Sequence, residues 1–103
     1  MKHVRVATYE ISSGTFAEIA DKAKEGMLPK FQEQDGFVRY GVAEVDHKTC
    51  LSISLWETRE QAEKSTPMAA EWIRENLKDR LELKTTFVGN LAFWQGVKAP
   101  VAV

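Results

Sequence analysis

Apolar positions change period along this chain, alternating by twos in four segments and recurring by threes and fours in two others. Alternation predicts a strand with one buried face, and the longer spacing predicts an amphipathic helix. His3–Glu10, Phe37–Val45, Cys50–Trp56 and Leu83–Trp94 read as strands, and Thr15–Phe31 and Thr58–Leu77 read as helices. The order is βαββαβ. Thr15 with Glu18, and Thr58 with Gln61, have the spacing of a capping box, in which each side chain satisfies the other residue's backbone N–H. Phe16, Ile19, Ala20, Ala23, Met27 and Phe31 make one apolar stripe; Met68, Ala69, Trp72, Ile73, Asn76 and Leu77 make the other, with Asn76 its polar member. Pro29 predicts a kink or restart near Leu28. Pro67 predicts that the second helix is interrupted at Ser65–Pro67 and begins again with Thr66 as its cap.

This order is the split βαβ, or ferredoxin-like, arrangement of an α+β domain. Both helices then cover one side of a four-stranded antiparallel sheet, and the other side meets water or a partner. In the third strand Leu51, Ile53 and Leu55 are expected to face the helices, which leaves Ser52, Ser54 and Trp56 on the open side. Gln34–Gly36 reads as a turn, Asp46–Thr49 as a hairpin loop, and Gly89-Asn90 as a bulge or close-approach point. The chain makes one domain over 1–103, with 95–103 as an apolar tail. A tail without a period of its own is costly in water, so it is expected to dock as an arm on a partner subunit.

Net charge is −1 with both signs scattered, which offers no electrostatic footprint for nucleic acid or an anionic membrane. The third strand also lacks the exposed aromatics with a basic surround that RNA-recognition domains of this topology use. No stretch approaches the ~18 apolar residues of a membrane span, and the first residues lack the apolar run of ~7–15 of a secretory signal. The cytoplasm is the expected compartment. Cys50, the lone cysteine, reads as a small buried strand residue. His3 and His47 belong to no metal spacing, and there is no phosphate loop or nucleophile elbow, so neither a metal site nor nucleophilic hydrolysis is expected.

What remains is a polar and aromatic group that could line one cavity for a small apolar or aromatic ligand: Tyr9, Arg39, Tyr40, Trp56, Trp72 and Asn76. Trp72 either fills the core or offers a face to a ligand, and Trp56 belongs to a cavity or to a dimer interface. An arginine amid strand residues needs an anion, so Arg39 calls for Glu10, Glu44 or a substrate.

Gly36-Phe37 after a long helix, Ser54-Leu55-Trp56-Glu57-Thr58 leading into Gln61-Ala62, the Pro-interrupted helix and the late Val88-Gly89 together resemble the dimeric α/β-barrel superfamily, in its antibiotic-biosynthesis-monooxygenase-like branch. The resemblance spans roughly Val4 to Gly89. It implies a homodimer whose two sheets face each other as a barrel, a C-terminal segment exchanged between subunits, and a pocket between helices and sheet. It also implies cofactor-independent oxidation of a phenolic or quinol compound by O2, which requires a stabilised substrate anion. In that reading Arg39 orients the anionic oxygen, Tyr9 or Asn76 donates to it, Trp72 stacks on the ring, and Trp56 and Tyr40 complete the substrate site. Haem-degrading relatives carry an asparagine, a tryptophan and a histidine where this chain has Ala7, Ser65 and Glu75, so haem degradation is not implied. The alternative is a noncatalytic, small-molecule-binding or stress-associated dimer. A third outcome is a structural dimer with a filled core.

Overall fold

The computed structural model describes residues 2–96. Strand β1 (His3–Ile11) leads to helix α1 (Phe16–Lys22), a π-helical turn (Ala23–Met27) and helix α2 (Leu28–Gln32). Strands β2 (Phe37–Asp46) and β3 (Thr49–Trp56), helix α3 (Arg59–Asn76) and strand β4 (Leu81–Asn90) complete the expected order. All neighbouring strands are antiparallel, in the order β2-β3-β1-β4, and the helices pack on one face of the sheet.

Both capping boxes form. The Glu18 backbone N–H donates to Thr15 Oγ1 at 3.3 Å, and the Gln61 N–H donates to Thr58 Oγ1 at 3.2 Å. The Gln61 side chain also fits over Gly36, where φ is +78° and a Cβ would overlap that amide. This turn therefore needs glycine twice over, for its backbone angle and for its neighbour.

The two prolines act differently. Near Pro29 the helix restarts at Leu28 after the π turn, whose Leu28 N–H reaches back to the Ala23 carbonyl. The wider turn keeps the proline ring clear of the preceding backbone and holds Ile19, Ala23, Met27 and Phe31, each four residues apart, on one buried face. At Pro67 the expected restart does not occur. Helix α3 runs unbroken from Arg59 to Asn76, because Ala62, Ser65, Ala69 and Trp72 continue one buried stripe through it. Pro67 and Glu63, whose carbonyl loses its donor, lie on the exposed side where solvent can replace the missing bond.

The largest correction concerns the faces of the sheet. Cys50, Ser52, Ser54 and Trp56 point toward the helices, and Leu51, Ile53 and Leu55 point to the open side, the reverse of the expectation. Trp56, 1% exposed, meets Phe31 edge-on at 5.3 Å and Phe37 at 5.4 Å. Its indole N–H donates to Ser54 Oγ at 2.9 Å, which resolves the polarity of that serine inside the core.

On the open face, cross-strand pairing aligns Val4 with Leu55 and Gly89, and Val6 with Ile53 and Phe87. Phe87 is 64% exposed. The bulge in β4 lies at Lys84, between the Thr8–Thr85 and Tyr9–Leu83 pairs, and Gly89 is regularly paired. Strand β4 ends at Asn90, short of the expected Trp94. Beyond it Leu91 N–H donates to the Lys2 carbonyl at 2.8 Å, and Trp94 helps line a hollow on the open face with Arg39 and Leu55. Most of the expected arm, residues 97–103, lies outside the described residues.

Candidate functional site

Alternation along β1 sends Arg5, Ala7, Tyr9 and Ile11 under the helices. Arg5 and Tyr9 floor two neighbouring spaces. One is an inner pocket of about 30 Å³, enough for one or two water-sized molecules, walled by Met27, Phe31, Tyr40, Ser52 and Trp72. The other is a cleft of about 250 Å³ between α3, its exit and β4, whose walls include Ile73 and Leu83. Arg5 and Tyr9 line both.

Arg5 is 3% exposed, and its Nε–H donates to Thr86 Oγ1 at 3.2 Å. Among the described residues it makes no ion pair. A buried guanidinium without a carboxylate carries a desolvation cost that an incoming anion would offset. Burial pushes the phenol of Tyr40 far above its ordinary value; neighbouring Tyr9 adds to this and Arg5 opposes it. Tyr40 is therefore a neutral hydrogen-bonding group and cannot serve as a base at ordinary pH. Trp72 lies across the π turn, and a Cβ on Gly26 would stand 2.8 Å from its indole. The turn and the missing side chain together let the ring approach the helix backbone closely.

Of the six residues singled out from sequence, Tyr9, Tyr40 and Trp72 meet at the inner pocket. The other three do not. Arg39 is exposed on the opposite face because an extra residue in β2, Val38, sits between the Phe37–Trp56 and Arg39–Leu55 pairs. That bulge places Phe37 and Tyr40 on the helix side and turns Arg39 outward. Asn76 is exposed at the end of α3, where its amide donates to the Trp72 carbonyl at 2.9 Å and closes the last helical turn. Trp56 is held in the aromatic core and borders a different, polar hollow beside Gln34, Asp35 and Lys64.

Sequence reasoning missed Arg5 and Ser52. A signal for Arg5 was present: it stands four residues before Tyr9 in an alternating strand, so the two must share a face. Cys50 is buried, and burial first and then Glu44 push its thiol above the ordinary range, which makes it an unreactive core residue. Among the described residues no three His, Cys, Asp or Glu side chains gather so as to hold a metal ion, and no helix is long and apolar enough to cross a membrane.

No protein-family model matches the chain, and no curated protein matches it in sequence. Solved structures do resemble it. A single-residue mutant of SnoaB, a cofactor-independent oxygenase from Streptomyces nogalater, superposes with a TM-score of 0.69 at 15% identity, over 95% of this chain and 98% of the other. NE2512, a Nitrosomonas europaea protein of unknown function, gives 0.68 at 14% identity over 94% and 97%. A candidate antibiotic biosynthesis monooxygenase from Chloroflexus aurantiacus gives 0.64 at 15% identity over 93% and 98%. At such identities the likeness is one of architecture. The chain has the ferredoxin-like α+β fold of the antibiotic-biosynthesis-monooxygenase-like proteins.

Proposed function

We propose that the protein is a cofactor-independent monooxygenase of a small quinol-like aromatic compound, working as a homodimer. The observation that carries this reading is Arg5, buried without a carboxylate at the floor of a cleft and flanked by Tyr9. The inner pocket is too small for an aromatic ring, so the ring occupies the cleft with its hydroxyl directed at Arg5. The guanidinium favours the ionised oxygen, and a tyrosine hydroxyl donates to it. The inner pocket, mostly apolar and one small molecule in size, suits O2.

No Asp, Glu or His lines either space among the described residues, so the substrate proton leaves to solvent and the substrate must itself be acidic. The quinolate passes an electron to O2, and the resulting radical pair joins through a new ring C–O bond. Loss of the proton on that carbon with cleavage of O–O gives a hydroxyquinone and water. All four electrons come from the quinol, one oxygen atom entering the ring and the other leaving as water.

The open face supports the homodimer. Val4, Val6, Leu51, Ile53 and Phe87 form an aliphatic and aromatic surface that a second copy of the same sheet would cover.

Oxygen uptake by electrode, with a panel of hydroquinones and polyphenols, tests the reaction. Wild-type protein should consume O2, and Arg5→Gln should lower the rate about 100-fold, as removal of one oxyanion-stabilising donor does elsewhere. Equal rates in the two proteins, or no uptake with any quinol, would overturn it. Saturable quenching of tryptophan fluorescence without uptake would instead support a binding module, the reading favoured by the lack of a base in the lining.

A further inference from the structure

The mouth of the cleft is more positive than this chain's composition would suggest. Net charge is −1, yet the lining contains Arg5, Arg74 and Lys78 and no carboxylate among the described residues. The rest of the wall is largely aliphatic, from Ala70, Ile73 and the leucines of β4. The cations differ in setting: Arg5 is buried at the floor, whereas Arg74 and Lys78 are exposed on α3 and just beyond its end. Arg74 also meets Glu71 at 3.9 Å, but both side chains are about two-thirds exposed or more, and such a contact leaves the guanidinium largely available.

Resting on the assignment of this cleft as the substrate site, we infer that the substrate is an aromatic acid. It carries a carboxylate or comparable fixed anion at the end of the ring remote from the reacting hydroxyl, held at the mouth by Arg74 and Lys78. The chemistry requires two anions at different depths. The ionised hydroxyl needs the buried, preorganised charge of Arg5, while the permanent anion stays partly hydrated and is recognised by long, solvated side chains. Aliphatic walls between the two charged ends take the ring. A neutral quinol would fill the same walls and leave the two outer cations without a role in binding.

The same cations near a helix C-terminus can also favour the helix dipole, so the test must read something that helix stability does not move. Binding of 6-hydroxy-2-naphthoic acid, its methyl ester and 2-naphthol is measured by tryptophan quenching at low and high salt, with wild-type protein and with Arg74→Gln/Lys78→Gln. Wild-type protein should bind the acid about five- to tenfold tighter than the ester at low salt, as two partly exposed ion pairs allow. The preference should shrink with salt and fall to within about twofold in the double variant, with 2-naphthol affinity unchanged.

Equal binding of acid and ester would overturn the inference while leaving the cleft as a ring-binding site. Retention of the preference in the double variant would overturn the roles of Arg74 and Lys78. Absence of binding by all three compounds would remove both the inference and the site it rests on. A preference for the acid without O2 uptake from quinols would keep the inference and discard the oxygenase.

Discussion

The two faces of this sheet place their polar residues differently. The face under the helices carries Arg5, Tyr9, Ser52, Ser54 and Trp56, and the face with nothing over it in the single chain carries Val4, Val6, Leu51, Ile53 and Phe87. A helix layer can cover polar groups only if they are satisfied. Ser54 is bonded by Trp56, Arg5 by Thr86, and much of the remaining volume is filled by rings and methionine. The aliphatic face has no such need for local partners, but it loses free energy in water and gains by association. Apolar residues therefore line both sides of this sheet, and the buried polar groups are confined to the covered one; in the proposed function the chemistry uses the covered side and the assembly the open one.

The largest effect should come from placing a charge on the open face. Ile53 is paired with Val6 and Gly41 in its centre, and Ile53→Asp would leave an uncompensated charge in the proposed subunit interface, at a cost of roughly 3–5 kcal/mol. Sedimentation should show a wild-type dimer and a folded monomeric variant; a wild-type monomer would remove the assembly side of the comparison. Comparable in size, but read as stability of the fold, is Trp56→Ala on the covered face. Loss of this ring from its contacts with Phe31 and Phe37 should cost about 3–5 kcal/mol in denaturant unfolding.

A smaller effect depends on pH. Tyr40 keeps its proton in the native state at pH values where an unfolded tyrosine has lost it, chiefly because it is buried. The native state then holds more protons, so stability should be intact below the ordinary phenol value of about 10 and fall above it, by at most about 1.4 kcal/mol per pH unit. Urea titrations between neutral and alkaline pH should show this decline in wild-type protein and a weaker one in Tyr40→Phe. The smallest effect expected is that of Arg39→Gln on ligand quenching and O2 uptake, which should both match wild type because Arg39 lies on the far side of the sheet. A loss equal to that of Arg5→Gln would show that the open face takes part in the site.

Much of the architecture was legible because it is local. Thr15 with Glu18 and Thr58 with Gln61 announce their helices through spacing alone, and the alternation of each strand is visible residue by residue. The candidate site was legible only in part. Tyr9, Tyr40 and Trp72 share the inner pocket, but Arg39, singled out as a strand arginine in need of an anion, lies on the other face because one extra residue at Val38 reverses a face without any mark in composition. Pro67 misled for a related reason, since a helix tolerates proline when the stripe on either side stays buried and the orphaned carbonyl faces water.

By itself, then, the sequence determined the element order, the capped helix starts, the turn at Gly36 and the fold class, all of which follow from interactions within a few residues. Tertiary structure alone decided which face of β3 meets the helices, that Arg5 is the buried cation, and that Arg39 and Asn76 lie elsewhere. Alternation specifies only which residues share a side. Which side that is depends on pairing register and bulges, which are settled by the packing of Trp56, Phe31 and Phe37 across elements distant in sequence.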